Sequence, residues 1–473
     1  MSLRIYSTLT REKAPFTPLR PGEVGMYVCG VTVYDLAHVG HARSALVFDV
    51  VRRHLAYRGY RVRFVKNFTD VDDRMIARSA ETGVPVPELA ERYIAAYRRD
   101  MAALGVAPPD VEPRATEHIP QMIALIERLL AAGVAYVVDG DVYFEVRRFP
   151  AYGRLSGRAL DDLRAGARVE IDERKRDPLD FVLWKAAKPG EPEWPSPWGP
   201  GRPGWHIECS AMSMHYLGAS FDIHGGGEDL VFPHHENEIA QSEAGTGVPF
   251  VRYWLHNAFV NLAAEKMSKS LGNVLTVEDL VRRHEPDAIR LALLGTHYRH
   301  PVEFAEARLE ESARALERFR AVFAASEDLR LPGAGGTPPP DAVRTAAQVA
   351  ELRFGAAMDD DFNTPQALAA LFELTRTLLA IRAELGPAAI GSGAETLRRL
   401  GAVLGLFERD PASVPAELRR EIERLLGARD AARRRREWAE ADAVRAQLAA
   451  LGVTVEDTPT GTTWKWRAKP ASP

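Results

Sequence analysis

Apolar and polar residues follow two different periods in the first part of the chain, and the two periods alternate. Gly25–Gly30 is a short apolar run that predicts a buried strand, with Cys29 near its carboxyl end. A helical pattern follows over about His41–Arg58, and Tyr60–Phe68 then alternates as a second strand. Strand, helix and strand in this order predict a βαβ unit, and therefore a parallel sheet and an α/β fold class.

The pattern changes again before the middle of the chain. Asp70–Gly133 has helical periodicity, and Val134–Val146 predicts two strands joined by a turn at Asp139 and Gly140. Arg147–Trp205 is rich in Arg, Gly, Pro and Trp, and we interpret it as part of an insertion that interrupts the sheet domain. A surface clamp on the substrate and a bare connector describe this segment equally well.

Beyond Pro301 the pattern is helical and rich in Ala, Leu, Glu and Arg, with a linker at Leu331–Pro340 and helices to about Phe407. Arg433–Arg436 then stands beside Trp438. Arginines next to aromatic rings suit unpaired RNA bases and phosphates, although a solvated helix face often has the same composition.

Composition limits the partners and the compartment. The chain has 473 residues, a formal net charge of −4 and only two cysteines. This length predicts several domains, and this charge means that any RNA binding must come from local basic patches. No apolar run is long enough to span a bilayer, and the first residues lack an apolar signal core. With so few cysteines, we expect a reducing, cytoplasmic location without a membrane.

The segment Trp205–Ile239 concentrates metal-binding chemistry. It contains Cys209 and five of the thirteen histidines of the chain. His234 and Glu238 are four residues apart in a predicted helix that starts at Pro233, so both side chains should share one face. Together with thiolates from elsewhere they would suit zinc, while a solvated helix with a buried cysteine is the alternative.

Two further motifs suit a nucleotide. His38, Gly40 and His41 open the first predicted helix, whose N-terminus attracts phosphate, and glycine there allows close backbone approach. Lys266 and Lys269 lie in a KMSKS string, where two ammonium groups suit a departing pyrophosphate. Taken singly, the first motif is more often a capping loop. A solvated turn is the alternative for the second, although KMSKS is a far more specific string than the histidine motif.

Taken together, these motifs resemble a known family. HVGH and KMSKS are similar to the HIGH and KMSKS signatures of class I aminoacyl-tRNA synthetases, with Val39 in place of the usual Ile. Five strings resemble the bacterial cysteinyl-tRNA synthetases within that class: VCGVTVYD, NFTDVDD, GRPGWHIECSAM, DIHGGGEDLVFPHHENEIAQSE and DDDFNTP. The resemblance covers essentially the whole chain.

The resemblance implies an architecture. It implies a Rossmann-type catalytic domain at residues 1–300, with an insertion at about 112–204 and the KMSKS loop at 266–270. A helical bundle at 301–407 and a small anticodon-recognition domain at 408–473 should follow. A monomer is expected.

The resemblance also implies roles for individual residues. One zinc ion per chain should be held by Cys29, Cys209, His234 and Glu238. Trp205 and His224 match positions that line the amino-acid pocket. The phosphates of the nucleotide are expected near His38, Gly40, His41, Lys266 and Lys269. Its adenosine is expected against the bare backbone of Gly225, Gly226 and Gly227. The residues that match anticodon readers are Arg433, Trp438, Asp442 and Asp457.

The implied activity is ATP-dependent ligation of L-cysteine to tRNA(Cys) through cysteinyl-adenylate, with MgATP as the second substrate. Zinc would select a thiolate over the hydroxyl of serine, because a simple pocket rejects a near-isostere by only about 10²-fold. A cysteine:amino-sugar ligase on the same catalytic fold is one alternative, but it would not need the long helical tail. A non-catalytic zinc protein that binds RNA is the other, and it would not need both phosphate motifs.

Overall fold

The computed structural model describes residues 2–158, 174–262, 265–266, 275–327, 339–408, 416–435, 437–458 and 461–466. It divides the chain into two compact units, Met1–Gly405 and Leu406–Pro473. The predicted boundary between a catalytic domain and a helical bundle near residue 300 stays a prediction, because both parts lie in the first unit.

The first unit begins with the antiparallel hairpin of β1 (Arg4–Ser7) and β2 (Glu12–Pro15). The predicted βαβ unit follows as β3 (Glu23–Thr32), α1 (Val39–Tyr57) and β4 (Arg61–Thr69). β3 and β4 are parallel, as the sequence pattern predicts. The middle of helix α1 is buried on all sides, since the seven consecutive residues Ala45–Val51 are buried, and this explains its high content of Leu, Val and Phe.

The next stretch is less helical than predicted. Helices α2 (Asp73–Thr82), α3 (Val86–Ala103) and α4 (Ile119–Ala131) occupy most of it. Between α3 and α4 the chain is extended, because Pro108 and Pro109 cannot continue a helix and Val111 bridges to β4.

The segment predicted as an insertion contains a sheet of its own. The strands β5 (Ala135–Val138), β6 (Asp141–Phe144), β7 (Phe181–Ala186) and β8 (Gly201–Pro203) pair antiparallel in this order. The predicted turn is confirmed, since Asp139 and Gly140 have φ of 50° and 85° between β5 and β6. This sheet packs on the hydrophobic core that contains Ile207.

The chain then returns to the central sheet. Helix α5 (Trp205–Leu217), β9 (Phe221–Gly227), helix α6 (Glu236–Thr246) and β10 (Val251–Asn257) follow each other. The four parallel strands lie in the order β10-β9-β3-β4. Ligands of such sheets bind beyond the carboxyl ends of the strands. The α/β class with a Rossmann-type parallel sheet is therefore confirmed.

The predicted helix with Pro233 in its first turn is present, but that first turn is not α-helical. Phe232 is extended, with φ −140° and ψ 131°, and the residues Val231–His235 form a wide turn of π type. The α-helix therefore begins at Glu236, and His234 lies in the turn before it.

The remainder of the first unit is mostly helical. A small sheet contains β11 (Val260–Leu262), β12 (Glu265–Lys266) and, after helices α7 (Val277–Arg283) and α8 (Pro286–Leu294), β13 (Val302–Phe304). β13 corrects the expectation of helix alone beyond Pro301. Then follow α9 (Glu306–Glu327), α10 (Asp341–Asp359), α11 (Thr364–Leu385) and α12 (Gly391–Val403). Most of the predicted linker Leu331–Pro340 lies outside the described residues.

The second unit contains α13 (Ala416–Arg435), α14 (Trp438–Ala450) and an antiparallel hairpin of β14 (Val453–Thr458) and β15 (Gly461–Trp466). Its own small core contains Ile422, Leu425, Val444, Leu448, Val453 and Val455. Short 3₁₀ turns in the first unit lie at Ala115–Glu117, Val146–Arg148, Glu228–Leu230 and Pro387–Ile390. Among the helices that the structure describes, none has the length and apolar character needed to cross a membrane.

Candidate active site and metal centre

Four donor side chains converge at the carboxyl end of the central sheet. Cys29 comes from β3, Cys209 from α5, His234 from the wide turn and Glu238 from the first turn of α6. One ligand atom of each lies within 4.8 Å of the others, and all four residues are buried. The structure thus brings together, from three separate segments of the chain, the residues that the resemblance implies as a zinc site.

The spacing and chemistry of these donors fit a zinc ion. The Cys29 Sγ atom lies 3.4 Å from Cys209 Sγ and 3.3 Å from Glu238 Oε1, and His234 Nε2 lies 3.1 Å from Glu238 Oε1. Zinc bonds of about 2.0–2.3 Å place tetrahedral ligands roughly 3.3–3.8 Å apart. Two sulfurs, one imidazole nitrogen and one carboxylate oxygen are donors that zinc accepts.

Electrostatics also favour a cation in this cluster. Burial raises the pKa of Cys29 well above its usual value, and the neighbouring Cys209 and Glu238 raise it further. Burial would raise the pKa of Glu238 as well, but His224 and His234 lower it to about 2. A buried carboxylate beside two thiols is stable when a positive charge balances it.

The two predicted pocket residues lie directly against these donors. Trp205 is the first residue of α5, and its ring stacks on His234 with the centroids 4.2 Å apart. His224 on β9 places Nε2 2.9 Å from Glu238 Oε2, and its ring stacks on Trp254 at 4.5 Å. Aromatic rings therefore cover the donors on two sides.

Three more histidines belong to this cluster, although the sequence analysis gave them no role. His235 Nε2 lies 3.3 Å from Cys29 Sγ, and His235 Nδ1 lies 2.7 Å from His256 Nε2. His206 Nδ1 lies 2.9 Å from His234 Nδ1. Burial lowers the pKa of His206 and of His235 well below the usual value, so both rings are neutral. The position of His235 next to His234, and that of His206 within the histidine-rich segment Trp205–Ile239, were signals for these two residues, whereas His256 had none.

The paired histidines His38 and His41 form the N-terminus of α1. Their rings stack with centroids 3.7 Å apart. The Nδ1 atom of His38 accepts the N–H of Gly40 at 3.2 Å, and the Nδ1 atom of His41 accepts the N–H of His38 at 3.2 Å. A neutral ring whose Nδ1 accepts carries its proton on Nε2, so each ring has a donor in addition to the helix N-terminus.

Packing explains two of the three glycines at the end of β9. A Cβ atom on Gly225 would lie 2.2 Å from the Phe48 ring, and one on Gly226 would lie 2.8 Å from Leu230. On Gly227 it would lie 2.3 Å from the carboxylate of Asp229, but this is the end of a flexible side chain that can move aside, so packing does not require glycine there. The expected contact of these glycines with adenosine stays a prediction.

The lysines of the KMSKS string are described only in part. Lys266 ends β12, where it pairs with Asn261 of β11. Its side chain and the whole of Lys269 lie outside the described residues. Their contact with phosphate also stays a prediction.

The four predicted anticodon residues all belong to the second unit. Arg433 lies in the last turn of α13, and Asp442 lies on α14. Trp438 is the first residue of α14 and is 60 % exposed. Asp457 lies on β14 opposite Thr462, and its side chain is outside the described residues.

Comparison with known proteins agrees with this arrangement. Residues 15–314 match the family described as tRNA synthetases class I (C) catalytic domain, and residues 353–408 match the DALR domain. The methionyl-tRNA synthetase of Mycobacterium tuberculosis, solved with methionyl-adenylate, shares the fold with a TM-score of 0.63 at 16 % identity. That match covers 81 % of this chain and 91 % of the other. The fold and the catalytic-domain match define a class I aminoacyl-tRNA synthetase.

More similar relatives specify the family. Residues 416–465 match the cysteinyl-tRNA ligase anticodon binding domain. The cysteine--tRNA ligase of Geobacter sulfurreducens is 52 % identical, over 98 % of this chain and 100 % of its own length. That of Alkalilimnicola ehrlichii is 54 % identical, over 98 % of this chain and 99 % of its own length. The chain belongs to the cysteine--tRNA ligase family.

Proposed function

We propose that this chain joins L-cysteine to tRNA(Cys) through cysteinyl-adenylate, and that a zinc ion in the buried cluster selects cysteine. As a member of its family, the chain is an enzyme, a cysteine--tRNA ligase. The observation that carries the zinc part is the convergence of Cys29, Cys209, His234 and Glu238. The anticodon-domain match covers the end of the helical tail, which an amino-sugar ligase would not require. The catalytic-domain match covers the first phosphate motif and the KMSKS string, which a non-catalytic RNA-binding protein would not require.

The cluster would discriminate by chemistry rather than by size. A zinc ion held by the four donors supplies a soft Lewis acid that binds sulfur more strongly than a hydroxyl oxygen. The side chains of Trp205 and His224 orient His234 and Glu238 by stacking and by a hydrogen bond. His224, His234 and Glu238 are buried, which excludes water that would otherwise compete for the same position.

The activation step requires positioning and neutralisation of charge. The carboxylate of cysteine attacks the α-phosphorus of MgATP, the new oxygen–phosphorus bond forms, and pyrophosphate leaves. His38 and His41 hold N–H donors at the start of α1, where charge develops on the α-phosphate. Lys266 and Lys269 neutralise the departing β- and γ-phosphates.

The transfer step joins the cysteinyl group to the terminal adenosine of tRNA, and AMP leaves. The second unit contributes recognition of the anticodon through Arg433, Trp438, Asp442 and Asp457. The exposed ring of Trp438 beside the arginines of α13 supports this assignment. We expect the enzyme to act as a monomer in the cytoplasm.

Charging of tRNA with cysteine or serine, before and after removal of zinc with a chelator, tests the proposal. Cysteine charging should fall at least about 100-fold without zinc and return when zinc is added, and serine should not be charged in any state. Undiminished cysteine charging by the metal-free protein would refute the zinc part. Absence of cysteine charging by the zinc-loaded protein would refute the activity itself.

A further inference from the structure

Strand β3 is irregular at the point where it presents Cys29. Val28 pairs with Lys66 and Val31 pairs with Phe68, so two residues of β3 face a single residue of β4 between these pairs. This arrangement is a β-bulge, which bends a strand and redirects the side chains within it. The bulge contains Cys29 and Gly30, and the β4 residue opposite them is Asn67.

The side chain of Asn67 satisfies the backbone of the bulge. Its Oδ1 atom accepts the N–H of Gly30 at 2.8 Å, and Asn67 itself is 1 % exposed. A Cβ atom on Gly30 would lie 1.5 Å from the main-chain oxygen of Asn67, so glycine is required for this approach. The bulge is therefore held on β4 by one backbone contact and one side-chain hydrogen bond.

The same amide group lies next to the second sulfur. Asn67 Oδ1 is 3.8 Å from Cys209 Sγ, and Asn67 Nδ2 faces Thr69 Oγ1 at 3.5 Å. The hydroxyl of Thr69 donates to Glu208 Oε2 at 2.9 Å, one residue before Cys209 on α5. Side chains of β4 thus connect the two segments that carry the cysteines, β3 and α5.

We propose that Asn67 is a positioning residue for the zinc site: it fixes the bulge that presents Cys29 and sets the position of Cys29 relative to Cys209. This inference rests on the proposed zinc-dependent function. Partners that orient metal ligands typically contribute 10- to 100-fold to metal affinity. Asn67 should therefore act on zinc and on cysteine, and not on ATP.

The test compares Asn67→Leu and Asn67→Ala with the wild-type full chain. Leucine has the same branched heavy-atom skeleton as asparagine but is bulkier and lacks the acceptor oxygen, whereas alanine removes the acceptor without adding bulk. Asn363→Ala is the matched control, because Asn363 also accepts a backbone N–H through Oδ1, from Gln366 at 3.3 Å, but caps helix α11. Zinc affinity is measured by competition with a chromophoric chelator, sulfur ligation by the absorption spectrum of the cobalt-substituted protein, and KM for each substrate by ATP–pyrophosphate exchange.

Both Asn67 variants should bind zinc about 10- to 100-fold more weakly, with a weakened sulfur-to-cobalt absorption band and a raised KM for cysteine. Their KM for ATP should be unchanged, and the control should match the wild type in every readout. Wild-type zinc affinity in Asn67→Leu, or an equal rise of both KM values, would overturn the inference while the zinc proposal stands. A wild-type protein that binds no zinc would instead refute the proposed function.

Discussion

At the scale of single residues, Glu238 connects the metal donors to the wall of the pocket. One of its oxygens lies near Cys29 and His234, and the other lies 2.9 Å from His224 Nε2. The wide turn before α6 places His234 so that the predicted i, i+4 pair meets, although His234 precedes the helix. Both the charge and the position of this carboxylate should therefore matter.

Glu238→Gln keeps the size of the side chain and removes its charge. We expect zinc affinity to fall at least about tenfold and KM for cysteine to rise by a similar factor, because one anionic donor is lost. KM for ATP should stay near its wild-type value. Chelator competition and ATP–pyrophosphate exchange measure these quantities, and equal changes in the two KM values would argue against Glu238 as a ligand.

Sequence reasoning reached only part of the site at this scale. The spacing of His234 and Glu238 and the concentration of histidines around Cys209 pointed to a metal, but the complete donor set followed from the family resemblance. His256 and Asn67 gave no local signal, because they reach the cluster through the pairing of distant strands.

At the scale of elements, a buried cluster of charged side chains around Asp49 holds the centre of helix α1 in place. Asp49 is 1 % exposed and accepts hydrogen bonds from Arg53 at 2.8 Å and from Arg290 of α8 at 2.8 Å. Arg290 is fully buried and also donates to the carbonyl oxygens of Leu104 and Leu404. The helix that begins with the histidine motif is thus held against α8 and the end of α12.

Arg290→Met should lower the free energy of unfolding by about 3 kcal/mol, because it leaves Asp49 partly uncompensated and two buried carbonyls without their donor. Arg282→Met is the control: that arginine is 67 % exposed and pairs with Glu278 across one turn, so a loss of at most about 0.5 kcal/mol is expected. Urea unfolding measures both. Equal losses in the two variants would contradict the role of the buried cluster.

Sequence patterns predicted elements well where the signal lies within one short segment of the chain. The βαβ unit and the β5–β6 turn were predicted this way. The π type of the turn Val231–His235 and strand β13 were not predicted, because backbone conformation there depends on neighbouring segments.

At the scale of the whole molecule, Asp361 joins distant parts of the first unit. Its carboxylate accepts the N–H of Tyr6 at 2.9 Å, the hydroxyl of Tyr298 at 2.8 Å and the Nε–H of Arg299 at 2.7 Å. The amino-terminal hairpin, the segment before β13 and the end of α10 therefore meet at one buried carboxylate. These hydrogen bonds give Asp361, which lies in the string DDDFNTP, a structural role far from the cysteines.

We predict that the free energy of unfolding depends on pH through His297, which lies beside Asp361. Burial lowers its pKa to about 4, although Asp361 acts in the opposite direction. Between pH 4 and the unfolded value of about 6.5, the unfolded chain binds more protons than the folded chain. The neutral ring therefore makes its full contribution to the free energy of unfolding above about pH 6.5. This contribution should decline by up to about 3 kcal/mol as the pH falls to 4.

Unfolding of the wild type and of His297→Gln across pH 4–7 checks this dependence. The glutamine variant cannot be protonated, so its stability should fall less steeply than that of the wild type below about pH 6.5. Parallel curves would show that His297 does not titrate as described.

The sequence predicted the types of elements in the molecule better than it predicted the boundary between the two compact units. The parallel sheet, the first two insertion strands and the basic tail could be predicted from patterns within each segment, whereas β7 and β8 were not predicted. The extent of the first unit could not, because residues such as Asp361 and Arg290 join segments that are far apart in sequence.

X-ray absorption at the zinc edge of the zinc-loaded full chain tests the central claim most directly. Our account predicts one zinc ion per chain with two sulfur ligands at about 2.3 Å and nitrogen or oxygen ligands for the remainder. Cys209→Ser should show a single sulfur, and Ser213→Ala on the same helix should still show two. A zinc ion surrounded only by nitrogen and oxygen, or no stoichiometric zinc, would contradict the account.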